Sequence, residues 1–268
     1  AVEIADQIGD SGWALSFRIS LAFNWLWQGQ LKSVVEMLPV LQDQMDSLPD
    51  PSAWERRLKG LKSALLTFQG NLDQALKILR EITTQARQVG ELSSLLEYYR
   101  YIVWISLITK DLESGKTGAE EMIELSKVGM RSKSVPHSSL SQIYSRGGEI
   151  QKAILILEQA HKEAEVTQSE YWDQLWLLWA QVDLLVAQKN WEEALQTFPD
   201  IIELTTEKGL RWHRSQTLVD WADAYLTRNQ PEDVGKARKI LEEALSEFRD
   251  MGADGFVKMI EDQLADLA

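Results

Sequence analysis

Apolar residues along this chain recur at i, i+3, i+4 and i+7. In the stretch 72–82 the apolar positions are Leu72, Ala75, Leu76, Ile78, Leu79 and Ile82, with charged or amide residues between them. That spacing gathers the apolar side chains on one face of a 3.6-residue helix. Runs of β-branched residues are short, and Gly and Pro do not punctuate at the 8–12-residue interval of a β protein. The pattern predicts an all-α chain.

An internal repeat organises these helices. Gln69-Gly70-Asn71-Leu72-Asp73-Gln74-Ala75, Gly147-Gly148-Glu149-Ile150-Gln151-Lys152-Ala153 and Gln188-Lys189-Asn190-Trp191-Glu192-Glu193-Ala194 each join a turn to a helix carrying a small residue. Weaker copies end at Val34 and Gly115, and a sixth reaches Ala237 after a short insertion at Pro231. The anchors 34, 75, 115, 153, 194 and 237 are spaced by 41, 40, 38, 41 and 43 residues. Two antiparallel helices approach closely only where one lacks bulk, which accounts for the small anchor. The turn Gly or Asn supplies the left-handed backbone that ends the first helix. Return turns are expected at Gly9, Gly90, Gly129, Gly209 and Gly252, and at Asp50-Pro51-Ser52, where Ser52 suits an N-cap.

The helix pairs predicted are 11–28 with 31–46, 52–69 with 72–88, 92–109 with 112–128, 135–147 with 150–166, 169–188 with 191–207, and 211–227 with 233–250. A closing helix is expected near 254–267. No interior stretch reads as a linker, so residues 1–268 are expected to form one solenoid domain. Its repeats are 11–50, 51–90, 91–130, 131–168, 169–209 and 210–252, with a cap at 253–268. Residues 1–8 read as the end of a helix from a preceding repeat, and the chain opens on Ala1. Both suggest a piece of a larger multidomain protein.

These units resemble the tetratricopeptide repeat. Its first helix carries Leu, then Gly or Ala, then an aromatic three residues on, which Leu21-Ala22 with Trp25 matches; Leu140-Ser141 with Tyr144 and Trp221-Ala222 with Tyr225 are similar. Its second helix carries Ala and then an apolar residue four later, as Ala75 with Leu79, Ala153 with Leu157, and Ala194 with Phe198 do. The resemblance implies a right-handed α-α superhelix of about six hairpins plus a C-terminal cap. The period of about 41 residues exceeds the family's usual ~34, so helices about one turn longer are expected. That longer form resembles the helical sensor region of maltose-activator-type bacterial regulators. The resemblance implies a concave groove formed by first helices. The residues in that register are Trp27, Arg57, Arg100, Trp104, Gln142, Arg146, Trp176, Trp179 and Asp183, with Asp223 further on.

Composition narrows the functional classes. With no cysteine there is no disulfide, thiolate metal site or thiol nucleophile. The net charge of −13 disfavours nucleic acid and anionic membrane, and no apolar run is long enough to span a bilayer. A cytoplasmic location is expected. Charge is uneven: residues 52–133 carry 13 basic and 10 acidic residues, and the rest carry 15 and 31. The groove arginines Arg57, Arg100 and Arg146 therefore suggest a partner that is acidic or bears a carboxylate.

No enzyme constellation emerges. Gly115-Lys116-Thr117 lacks the upstream glycine of a phosphate loop, where Lys110 stands. His137, His161 and His213 show no metal-ligand spacing, and no Gly-x-Ser-x-Gly turn is present. No cofactor or metal is expected. The 11 tryptophans are the compositional anomaly. Trp13, Trp54, Trp172 and Trp212 begin first helices and are expected to pack on the neighbouring repeat, whereas Trp27, Trp104, Trp176 and Trp179 fall in the groove register. The sequence thus predicts a non-enzymatic module that binds a protein or peptide as a scaffold or regulatory part of a signalling protein. The alternative is a sensor of a sugar-like inducer.

Overall fold

The computed structural model describes residues 10–128, 134–167 and 171–267. Among them are 13 helices and no strand: α1 Ser11–Trp27, α2 Leu31–Asp46, α3 Ser52–Gln69, α4 Leu72–Val89, α5 Leu92–Thr109, α6 Leu112–Ser126, α7 Ser134–Arg146, α8 Ile150–Thr167, α9 Tyr171–Ala187, α10 Trp191–Glu207, α11 Arg211–Arg228, α12 Asp233–Met251 and α13 Asp254–Asp266. Every boundary lies within about two residues of the sequence expectation. Residues 1–8 and the turns at Gly9 and Gly129 fall outside the described residues.

Six hairpins stack side by side into an α-α superhelix, capped by α13. The small anchors do the expected work: Ala75, Ala153, Ala194 and Ala237 are fully buried. Gly115 is an interior position of this kind too. A Cβ there would lie 2.5 Å from Ile143 Cδ1 and 3.1 Å from Ser106 Cβ, so the glycine lets α6 close on its neighbours. Its role in the Gly-Lys-Thr triplet is packing.

The hairpin turns share one geometry. At the end of α3, Gly70 is left-handed (φ 82°), and Asn71 N–H donates back to Leu66 O at 2.8 Å, closing the helix. The equivalent turns place Lys110, Lys189 and Asn229 in the same region, with φ 62°, 60° and 53°. The insertion before α12 is held by a buried Asp233. Its carboxylate accepts from Arg228 Nε at 2.9 Å and from Gln230 N–H at 2.8 Å. The hydrogen bond from Arg228 is the main reason that the Asp233 pKa drops to about 2.

The superhelix comes round far enough that its ends meet. Helix α1 packs on α11, and α3 packs on α13. Gly70 and Gly255 stand backbone to backbone: a Cβ on Gly255 would sit 2.7 Å from Gln69 O and from the Gly70 carbonyl carbon. Trp212 Nε1 donates to Phe68 O at 3.0 Å. The main core consequently takes residues from both ends of the chain, with Phe68, Trp104, Trp212, Phe248 and Phe256 meeting near the axis. This explains why first helices bury more than one stripe. Helix α5 buries Leu95, Tyr98, Tyr101, Val103, Trp104, Ile105 and Leu107, because it faces second helices on one side and the filled axis on the other.

Of the tryptophans that open first helices, Trp212 is fully buried at this closure. Trp13 departs from the expectation: it is 58% exposed and stacks on Phe17 of its own helix. The described residues contain no helix long and apolar enough to cross a membrane.

Candidate functional site

First helices alone line two cavities on the concave side. The nine residues in the sequence-derived groove register divide between them. Trp27, Arg57 and Arg100 line an open cleft of about 680 Å³. Trp104, Gln142, Arg146, Trp176, Trp179 and Asp183 line a much smaller cavity of about 30 Å³, room for one or two water-sized groups.

The larger cleft is bounded by α1, α3 and α5, with Trp172 of α9 reaching across from the far side of the superhelix. Trp172 meets Trp27 edge to face at 5.0 Å between ring centroids. Phe23 and Tyr98 add aromatic wall, and Ser20, Asn24, Ser93 and Ser94 add hydroxyl and amide groups. Arg57 spends its guanidinium on the Ser16 hydroxyl at 3.3 Å and on the Trp54 ring at 5.2 Å, not on a carboxylate. Arg100 pairs with Glu97 three residues before it and lies 5.6 Å from the Tyr101 ring. The cleft therefore joins aromatic area, neutral hydrogen-bonding groups, the Arg100–Glu97 pair, and Arg57, which has no carboxylate partner among the described residues.

The smaller cavity differs from the sequence expectation in two ways. First, its tryptophans are mostly turned on one another. Trp176 and Trp179 meet at 5.6 Å, and Trp104 lies 6.3 and 6.5 Å from them. His213 sits among Trp104, Trp172, Trp179 and Trp212, stacked on Trp179 at 5.6 Å. Burial in this aromatic nest pushes its pKa down to about 3, so the ring is neutral. Trp179 Nε1 donates to Thr217 Oγ1 at 3.1 Å. The closure of the superhelix packs these rings into the protein's own core.

Second, Arg146 does not present a free positive charge. It holds Asp183 at two points, Nε to Oδ2 at 2.9 Å and Nη2 to Oδ1 at 3.1 Å, and donates from Nη1 to Leu107 O at 3.3 Å. Its Nη2 also lies 3.7 Å from Asp220 Oδ1. Asp223 is one turn beyond Asp220 on α11 and accepts from Gln263 of α13 at 2.6 Å. Three carboxylates thus surround one guanidinium. Burial pushes Asp220 up to about 7 against the pull of Arg146, with Asp183 and Asp223 raising it further. The expectation of an arginine-rich groove fails here, because paired aspartates on the next two repeats outnumber the arginine.

Sequence reasoning missed Gln216, Asp220 and Trp172 as cavity residues, and His213 as a member of the aromatic core. A signal for two of them was present. Gln216, Asp220 and Asp223 are spaced i, i+4, i+7, a polar stripe on a first helix that also carries a core stripe. Trp172 and His213 reach the axis only because the superhelix closes, which no local pattern states.

The architecture is that of tetratricopeptide-like helical-repeat proteins. The chain is similar to a Rap protein whose crystal structure is of its complex with Competence and Sporulation Factor, at 10% identity and a TM-score of 0.60, over 94% of this chain and 74% of that one. It is also similar to Bacillus thuringiensis PlcR in complex with the peptide PapR7 and DNA, at 13% identity and a TM-score of 0.57, over 86% of this chain and 82% of that one. At such identities the likeness establishes the fold alone. It supports the tetratricopeptide-like reading and not the comparison with maltose-activator-type regulators. No family model matches the sequence, and no curated protein matches it.

Proposed function

We propose that this chain is a non-enzymatic peptide-binding module, one solenoid unit serving as a scaffold or regulatory part of a larger signalling protein. The observation that carries the reading is the cleft of about 680 Å³ among α1, α3 and α5, walled on one side by the Trp27–Trp172 pair. Its volume lies in the range of ligand pockets, roughly 300–1,000 Å³. Its indoles and Phe23 offer apolar anchor area of the kind that dominates peptide interfaces, and Arg57 suits a carboxylate, from an acidic side chain or a chain terminus. The solved structure of PlcR contains a peptide, which agrees with this use of the fold.

The alternative, a sugar-like inducer, would have to stack on Trp27 or Trp172. Trp176 and Trp179 are turned on each other, and Trp179 also stacks on His213. Panning a displayed random heptapeptide library against the chain tests the proposal. Enriched peptides should lose about tenfold or more in affinity with Trp172→Ala and with Arg57→Ala, while the helical spectrum stays unchanged. Enriched peptides indifferent to both substitutions would reject this cleft. Saturable binding of neutral sugars that Trp172→Ala removes would install the alternative.

A further inference from the structure

The small cavity has a composition that packing alone does not explain. Arg146 faces Asp183 and Asp220 in its wall, with Asp223 in the adjoining cavity, and burial makes surplus negative charge costly. Two glutamines line it as well, and Gln216 already hydrogen-bonds Asp220. Gln142 is only 3% exposed and its Oε1 has no hydrogen-bond partner; the buried Oε1 of Gln216 likewise has none. Both line the same cavity as Asp220. Buried acceptors are normally satisfied, and here two carbonyl oxygens on one wall are not.

We propose that this cavity takes the ammonium head of a primary alkylamine, with Asp220 as its counter-charge and the Gln142 and Gln216 carbonyls as acceptors. An ammonium brings three donors for the two unpartnered carbonyls and Asp220, and a second positive charge beside Arg146, whose guanidinium is bound at two points by Asp183. Its size fits the space of about 30 Å³. Trp176 and Trp179 on the same wall add cation–π attraction. Five lining residues, among them Leu107, Ile108 and Asp220, are shared with a neighbouring cavity of about 380 Å³ that Val219, Met259 and Ile260 help to line. That second space gives the alkyl chain an apolar path outward. A metal ion is a poorer occupant: both Asp183 oxygens are taken by Arg146, and no cluster of metal-ligating groups exists among the described residues.

The amine is either a free alkylamine or a lysine side chain of a bound peptide. In the second case the cavity extends the peptide reading above, although the ammonium site does not depend on it. The groups facing Asp220 are Arg146 of α7, Asp183 of α9, and Asp223 and Gln216 of α11; Lys110 at the end of α5 and Gln263 of α13 line the adjoining space. Of these, Asp220 titrates near neutrality, so amine binding should strengthen as the pH rises through about 7.

The test is a titration of the intact chain with n-butylammonium, read by tryptophan fluorescence and melting temperature, with n-butanol as the neutral control. Saturation in the millimolar range with butylammonium and none with butanol is expected. Asp220→Asn should weaken it about tenfold or more, and the wild type should bind more weakly at pH 5.5 than at pH 8. Equal responses to the two probes, or no saturation by tens of millimolar, would overturn the proposal. The pH comparison on the wild type still decides if the variant fails to fold, and an amine affinity that does not change with pH would overturn it too. Tighter binding of acetyl-Gly-Lys-Gly-amide than of butylammonium would identify a peptide lysine as the source, and the reverse a free amine. Trp172→Ala should leave butylammonium binding intact, so loss of the peptide cleft and loss of the amine site remain separable.

Discussion

Trp212 donates its indole N–H to the carbonyl oxygen of Phe68 at 3.0 Å, tying the sixth repeat to the second across 144 residues of sequence. A repeat array whose units touch only their neighbours unfolds piecewise. This bond, with the α1–α11 and α3–α13 packing, converts the array into a loop whose ends hold each other. The seam also sets the site, because it buries the axial tryptophans and leaves the cleft at Trp27 and Trp172 open.

The seam depends on a glycine that contacts backbone. A Cβ on Gly255 would stand 2.7 Å from Gln69 O, and main chain cannot swing aside as a flexible side chain can. Gly255→Ala should force α13 away from α3 and cost about 1–3 kcal/mol, the usual range for overpacking. Small-angle scattering should show a larger radius of gyration. Wild-type scattering with a wild-type melting midpoint would mean that the seam tolerates the methyl group and contributes little.

Within the hairpins, Ala194 is fully buried at the packing of α9 on α10. Ala194→Leu adds three carbons where Phe198 and Ile201 already fill the space. A loss of about 1–3 kcal/mol in urea unfolding is expected. An unchanged midpoint would contradict the tight crossing.

The left-handed turns offer a gain. Lys189 carries φ 60° where Gly70 and Gly148 serve in other hairpins. A side chain in that region is strained by its Cβ, and glycine relieves the strain. Lys189→Gly should stabilise the chain by about 0.5–1 kcal/mol, seen as a higher denaturant midpoint with an unchanged slope. A lower midpoint would show that the entropy lost by the unfolded glycine outweighs the strain.

Much of the fold was legible because its determinants are local. Anchor spacing, turn residues and the 3.6-residue stripe are each encoded within a dozen residues, so helix ends came out within about two residues. The register that picked Trp27, Arg57 and Asp183 as groove residues came from the resemblance to the tetratricopeptide repeat, laid over these locally encoded helices. What the local pattern could not state was curvature. Whether six hairpins close on themselves depends on small angles added from repeat to repeat, and closure decides that Trp176 and Trp179 face other rings. Nor could a count of arginines reveal the charge of the inner wall. Arg146 is matched by Asp183, 37 residues away, a pairing that exists only once adjacent repeats are stacked.

A buried histidine and a half-buried aspartate give the stability a pH dependence of opposite sign. His213 has a folded pKa of about 3, through burial and the charge of Arg100, against about 6.5 when unfolded. Between those values the unfolded chain holds a proton that the native chain lacks, so this histidine makes stability fall as pH drops below about 6.5. Asp220 has a folded pKa of about 7 against about 3.9 unfolded. There the native chain holds the extra proton, so stability falls as pH rises from about 4 through 7. Each slope is at most about 1.4 kcal/mol per pH unit. The Asp220 slope should be the shallower, because 24% of its side chain reaches solvent. Over the shared window of about pH 4 to 6.5 the two oppose, and single variants separate them. Relative to wild type, Asp220→Asn should gain stability as pH rises from 4.5 to 8, and His213→Phe should gain as pH falls from 7 to 4.5. Urea midpoints at pH 4.5, 6 and 8 measure both differences. A gap between Asp220→Asn and wild type that stays constant across the three pH values would mean that Asp220 is ionised throughout, held so by Arg146.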